Sequence, residues 1–250
     1  MHRIAFAFLL FVPICSVAQG TQSSTIATKE ASVLCPQVVI SGAVLTGTAS
    51  WTMGSDKQTG QVVLKARANG QSRADLALGS GPRSEIRINS QQNPQYETLA
   101  GGQWTTRAFH NSWVDANWFF PALSALVVGP QNGYSLVYAS DSFHVYSQFQ
   151  VANQKPSVTT QVQTLSTVLY DLDSTTQLPT ALHFYTHPES DFGVNIPVDV
   201  RFSNYQVVSG VQVPFRIQRF LNGTLQLDIT ISSVAINPNP ALTDSDFAAN

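Results

Sequence analysis

The feature that most constrains the fold of this chain is an alternation of apolar and polar residues, of period two, that recurs over most of its length. Val62, Leu64, Ala66 and Ala68 alternate with Val63, Lys65 and Arg67, and Ala74, Leu76 and Leu78 with Arg73 and Asp75. Ile86 and Ile88 alternate with Glu85 and Arg87, and Phe143, Val145, Phe149 and Val151 lie opposite His144, Tyr146, Gln148 and Gln150. Val211, Val213, Phe215 and Ile217, then Leu225, Leu227, Ile229 and Ile231, continue the pattern. Successive side chains of a strand point to opposite faces, so this pattern predicts an antiparallel sheet with one apolar and one solvated face. Asn69-Gly70 and Asn222-Gly223 stand where two-residue hairpin turns belong. Asn222-Gly223-Thr224 also matches a glycosylation sequon, but we read it as a turn. The apolar phase switches at Val234 and Ile236, which predicts a bulge after Ile231.

One segment breaks the strand rhythm. Ser112 and Asp115 fit a capping box for a first helical turn. Pro121 would break a continuous helix but suits the first position of a second one, running to about Val128 and ended by Gly129. The expectation is a bent helical excursion, with Trp118-Phe119-Phe120 at its elbow, between two blocks of strands. At the N-terminus, Met1-His2-Arg3, the apolar run from Ile4 to Ile14 and the small residues Ser16 and Ala18 predict a signal peptide over residues 1–18. Its apolar run is too short to span a bilayer. Residues 19–30 read as a flexible leader, with a short helix possible from about Thr25 to Leu34, and residues 31–250 as one domain. Cleavage removes Cys15 and leaves Cys35 without an intramolecular disulfide partner, as a small buried apolar side chain.

Composition narrows the function. Only 11% of the 250 residues are charged, with 13 Lys+Arg against 15 Asp+Glu and a net charge of −2, while hydrophobic residues stand at 43%. Soluble chains carry about 25% charged residues. With no basic block there is no electrostatic footprint for nucleic acid.

Several chemical motifs fail on inspection. Asp171-Leu172-Asp173-Ser174-Thr175 spells a phosphatase-type nucleophile motif, but Lys155 is the last lysine of the chain and lies upstream of it. The stretch reads as a strand running into an Asp/Ser/Thr turn. It fails as a calcium loop too, with Thr176 where Gly belongs and Leu182 in place of the bidentate Glu. His183 and His187 have the spacing of a helical metal pair, yet the alternation around them says strand. On a strand they lie roughly 13 Å apart, and we read them as surface histidines. His110 and His144 fit no ligand pattern. Lys65, Arg67, Arg73, Arg83 and Arg87, with Asp75 and Glu85 among them, read as cross-strand charge pairs on a solvated face rather than a basic stripe for anionic head groups. Trp104, Trp113, Trp118, Phe119 and Phe120 fall within 17 residues of sequence. They fill a core or line an apolar ligand groove.

The run from Arg201 to Ile217, with Ser209-Gly210 and Pro214 at its centre, continues through Asn222-Gly223 and Asn237-Pro238 to Asp246-Phe247. With Tyr170-Asp171 to Leu178-Pro179, and with Thr46-Gly47-Thr48-Ala49 and Thr59-Gly60 to Leu64, it resembles the LolA/LolB-like superfamily of exported lipoprotein carriers, in its uncharacterised branch. The resemblance covers about residues 31–250. It implies a mostly β (α+β) fold, a single strongly curved antiparallel sheet forming an incomplete barrel with short helices packed in its mouth. It also implies acyl chains bound between sheet and helices.

The resulting expectation is an exported, periplasmic or secreted, non-enzymatic binder or carrier of an apolar ligand: an acyl chain, lipid or lipoprotein. Its groove would be lined by Trp118, Phe119, Phe120, Leu123 and Leu126 from the excursion and by Trp51 and Phe149 from the sheet. The expected protein is a monomer without cofactor, metal site or transmembrane segment. The alternative is an envelope protein-interaction or stress-sensing module that uses the same fold without a lipid cargo. A hydrolase would need polar groups converging in one cleft, which no spacing here predicts.

Overall fold

The computed structural model describes residues 16–89, 94–139, 143–150 and 155–249. The apolar run of the expected signal peptide and Cys15 lie outside them. The alternating segments form thirteen strands of one antiparallel sheet. The first six are β1 (Gly42–Met53), β2 (Asp56–Arg67), β3 (Gln71–Leu78), β4 (Gly81–Ile88), β5 (Gln95–Ala100) and β6 (Gln103–Thr106). After the excursion come β7 (Tyr134–Tyr138), β8 (His144–Phe149), β9 (Val168–Leu172), β10 (Pro179–Thr186), β11 (Ile196–Val208), β12 (Val211–Leu221) and β13 (Thr224–Ile236). The sheet order is β6-β5-β4-β3-β2-β1-β13-β12-β11-β10-β9-β8-β7. Two meanders therefore meet along β1 and β13, and β6 and β7 are left as edges. This is the incomplete barrel that the resemblance implies.

The sheet curves until distant strands touch. Arg219 on β12 reaches Glu85 on β4 at 3.2 Å, although β3, β2, β1 and β13 separate them in the sheet. Arg107, just after β6, pairs with Glu189, just after β10, at 2.6 Å. The bulge expected after Ile231 contributes to the bend. Thr46 pairs with Ser233 and Gly47 with Ile231, so Ser232 has no partner across the ladder. A Cβ on Gly47 would lie 2.0 Å from the Thr230 carbonyl oxygen, so only glycine allows this approach.

Helices occupy the concave side. α1 (Ser16–Leu34) extends beyond the helix expected from Thr25 and takes in the residues read as a leader. It buries Ile26, Ala27 and Leu34, and Cys35 follows half-buried against the core. The Ser23 hydroxyl accepts from the Leu136 N–H at 2.6 Å and donates to the Leu136 carbonyl at 3.2 Å, covering part of the β7 edge. α2 (Ala125–Val128) is capped by the Ser124 hydroxyl, and α3 (Pro156–Ser166) bridges β8 and β9. No helix among the described residues is long and apolar enough to cross a membrane.

Three local expectations need correction. The Asn69-Gly70 hairpin has a three-residue loop, Ala68 to Gly70, with Gly70 at φ +85°. The excursion begins with a 3-10 turn at Phe109–Asn111 rather than a helical turn capped by Ser112 and Asp115. The buried Asp115 carboxylate instead accepts from the N–H groups of Asn117 (3.1 Å) and Ala125 (2.9 Å) and from the Tyr170 hydroxyl, tying the excursion to β9. Pro121 opens a 3-10 turn, and Gly129 continues the chain into another at Pro130–Asn132.

The third correction concerns charge. Lys65, Arg67, Arg73 and Asp75 lie on the convex face, where the segment after β13 covers them. Lys65 pairs with Asp246 at 2.8 Å, Arg67 with Asp244 at 2.6 Å, and Arg73 donates to the Ala248 carbonyl at 2.9 Å. Arg83, Glu85 and Arg87 lie on the opposite, concave face. Register decides this, because residues directly opposite in an antiparallel pair share a face. Leu76 pairs with Arg83, Ala74 with Glu85 and Ser72 with Arg87. Ile86, which pattern alone assigns to the interior, pairs with Arg73 and is buried on the convex side.

Candidate functional site

The concave face holds a cavity of about 360 Å³ between the two meanders and the excursion. Its apolar wall includes Trp51 of β1, Leu76 of β3, Trp118, Phe184 of β10, Val198 of β11 and Leu227 of β13. Arg83, Glu85 and Arg87 of β4 and Arg219 of β12 supply the polar wall. The volume falls within the roughly 300–1,000 Å³ of small-ligand sites.

Glu85 is the hub of the polar wall. Its Oε1 accepts from Arg87 Nε and from Trp118 Nε1, each at 2.8 Å. Its Oε2 accepts from Arg219 Nη1 at 3.2 Å and from the Tyr96 hydroxyl at 3.3 Å. Burial alone would raise the Glu85 pKa, but the Arg87 and Arg219 charges and these hydrogen bonds outweigh it and hold the carboxyl down at about 2. Burial likewise pushes the Tyr96 hydroxyl up. The guanidinium groups also stack. Arg87 lies 3.8 Å above the Tyr96 ring centre, Arg219 4.9 Å above Trp118 and Arg83 5.1 Å above Trp51. Trp51 Nε1 is buried without an acceptor among the described residues.

Of the seven residues expected to line a groove, Trp51 and Trp118 border this cavity. Phe119, Phe120, Leu123 and Leu126 are buried in the main core with Trp118. Phe149 sits in a separate cluster with Trp113, Ala125, Tyr134 and Val162. Reading the alternation by hydrophobicity put Arg83, Glu85 and Arg87 on the solvated face and missed Arg219. The Gly79-Ser80 turn carried the missing signal. It sets Leu78 opposite Gly81, and counting back along the hairpin places Arg83 beside Leu76.

The convex face carries a different polar array. His144 Nδ1 meets Asp171 Oδ1 at 2.7 Å, Asp171 Oδ2 meets His183 Nε2 at 2.9 Å, and His183 Nδ1 meets Asp199 Oδ1 at 2.7 Å. This ladder crosses β8 to β11. Burial works to lower the His183 pKa, but the two carboxylates prevail and raise it. His187 has a separate partner, the Val194 carbonyl at 3.1 Å from Nδ1, and is buried rather than on the surface. Asp173, the second acid of the phosphatase-like spelling, caps the turn by accepting from the Thr175 and Thr176 N–H groups at 3.0 and 2.7 Å. A second cavity of about 550 Å³ adjoins the ladder, with Tyr146, Leu169, His183 and Tyr185 in its wall.

No protein-family model matches the sequence, and no curated protein matches it. Solved structures do. A domain described as an outer membrane lipoprotein-sorting protein from Vibrio parahaemolyticus aligns with TM-score 0.55 and 11% identity, covering 91% of this chain and 97% of its own. A DUF1329 family protein from Desulfovibrio piger aligns with TM-score 0.54 and 10% identity, covering 92% and 97%. A LolA superfamily protein from Nitrosomonas europaea gives 0.51 and 13%, covering 91% and 98%. At these identities the likeness is one of fold, and the fold is LolA-like.

Proposed function

We propose that this chain is an exported, non-enzymatic binder or carrier of an apolar ligand, held in the concave cavity between the sheet and the excursion. The observation that carries this reading is the cavity itself, which has Trp51, Trp118, Phe184 and Leu227 in its wall. Phe119, Phe120, Leu123 and Leu126 form the core that continues from it. The LolA-like fold and the lipoprotein-sorting description of the Vibrio neighbour support a lipid or lipoprotein acyl chain as the ligand class. Binding would draw on about 0.8 kcal/mol for each methylene buried. Export through a signal peptide, a periplasmic location and a monomeric state belong to the same proposal.

Native mass spectrometry of the protein purified from its host, followed by lipid extraction, tests it. Co-purifying acyl lipid, displaced when Leu76→Trp fills the cavity, is the expected result. Wild-type protein that is free of lipid and does not take up acyl ligands overturns the reading. The protein-interaction reading draws on the convex cavity, where Tyr146 and Tyr185 are 41% and 51% exposed. A partner captured by wild type and lost with Tyr185→Ser, with the concave cavity empty, would favour it.

A further inference from the structure

We infer that the concave cavity selects amphiphiles with an acidic head group, held by Arg83, Arg219 and the Trp51 indole N–H. The inference rests on the carrier reading and specifies the chemistry of its ligand. It begins from a charge imbalance inside the wall. Arg83, Arg87 and Arg219 face the cavity with the single carboxylate Glu85 among them, while Arg107 is already paired with Glu189. Little of it reaches solvent: the side chains of Arg87, Glu85 and Arg219 are 6%, 12% and 15% exposed, and Arg83 is half-buried. Charges taken out of water are costly unless paired and hydrogen-bonded. Glu85 spends both oxygens on Arg87, Arg219, Trp118 and Tyr96, and so leaves Arg83 without a carboxylate partner among the described residues.

The residues that carry unused donors line the same cavity. Arg83 stacks on Trp51, and the Trp51 Nε1–H is buried without an acceptor among the described residues. Arg219 spends one nitrogen on Glu85 and has further N–H groups. A guanidinium fork with a neighbouring N–H suits the two or three oxygens of a carboxylate or phosphate monoester. Leu76, Phe184, Val198 and Leu227 on the rest of the wall suit an apolar tail. A neutral acylglycerol offers no charge to this wall.

Three probes sharing one oleoyl tail provide the test: oleate, 1-oleoyl lysophosphatidate and monoolein, titrated by calorimetry into the full chain. Both anions should bind at least about tenfold more tightly than monoolein, as charge-assisted hydrogen bonds allow. Whichever of the two is tighter identifies carboxylate or phosphate as the natural head. Arg83→Met should collapse the preference for anions over monoolein, and Arg83→Lys should restore part of it. Circular dichroism checks that both variants fold, and raised salt on wild type gives the same collapse without mutation. Equal affinity for all three probes overturns the inference and leaves the carrier reading intact. Binding of none of them overturns the carrier reading, and this inference with it.

Discussion

Two glutamates shielded from solvent, one in the sheet wall and one in the helix at its mouth, show what separates tolerated charge from costly charge in this fold. Glu85 on β4 gives each oxygen two donors, two of the four being guanidinium groups, and its pKa falls to about 2. Glu30 on α1 is fully buried, but its Oε2 has no partner among the described residues, and Tyr138 is 3.5 Å from Oε1. There burial raises the pKa to about 7, although the nearby Lys29 charge and the Tyr138 hydroxyl pull it down. Similar burial with different partners gives opposite shifts, so it is pairing that decides whether charge persists inside the sheet.

The largest expected effect breaks the paired member. Glu85→Gln keeps the shape of the side chain but leaves Arg87 and Arg219 without a counter-charge. Removing one partner of a buried ion pair costs about 3–5 kcal/mol, which urea unfolding at pH 7 would read as a lower midpoint at unchanged slope. Because the folded pKa is depressed, this contribution is present above the ordinary carboxylate pKa and is lost as pH falls through about 2. An unchanged midpoint would mean that the wall tolerates free guanidinium groups and that the charge imbalance carries no weight.

Glu30 should respond with the opposite sign. Its folded pKa is raised from 4.5 to about 7, so relative stability is complete below pH 4.5 and is lost as pH rises through 7. Glu30→Gln removes that loss. At pH 8 the variant should be more stable than wild type by roughly 3 kcal/mol, from 1.36 kcal/mol per pKa unit, and the difference should vanish at pH 4. Thermal unfolding across that range checks both the size and the sign. A variant less stable than wild type at pH 8 would show that Glu30 is ionised and paired in the folded state.

These two glutamates also mark how far the sequence alone could be read. The strand alternation, the Asn222-Gly223 turn and the bulge after Ile231 were all legible, because each is a local consequence of side-chain direction or backbone conformation. The face taken by β4 was not. Ile86 and Ile88 make a better apolar stripe than Arg83, Glu85 and Arg87, and only the pairing with β3 puts the charged set inside. That set gains its partners from distant chain, Arg219 from β12 and Trp118 from the excursion, which no local pattern brings together. Of the expected groove residues, Trp51 and Trp118 could be placed beside a cavity only once the sheet had closed around them. Glu30 lay in a stretch whose Ser, Thr and Gln content suggested a leader, while its buried face is set by contact with the β7 edge through Ser23.

The smallest effect belongs to charge on the outside of the same sheet. Lys65 and Asp246 pair at 2.8 Å with side chains 24% and 27% exposed, and the Lys65 hydrogen bond and the Thr243 N–H hold the Asp246 carboxyl down at about 2. The distance equals that of the Arg87–Glu85 contact, so geometry alone would rank the two pairs together. Solvent separates them: a partly exposed pair is screened, gives up side-chain freedom and contributes about 0–1 kcal/mol. Asp246→Asn should therefore shift the urea midpoint by a small fraction of the Glu85→Gln shift, and 0.5 M salt should erase most of what remains. It should also loosen the segment after β13, read as faster amide exchange at Phe247, whose side chain is buried against this face beside Arg67. A loss as large as that of Glu85→Gln would mean that the terminal segment, rather than the buried wall, is where this sheet depends on its charges.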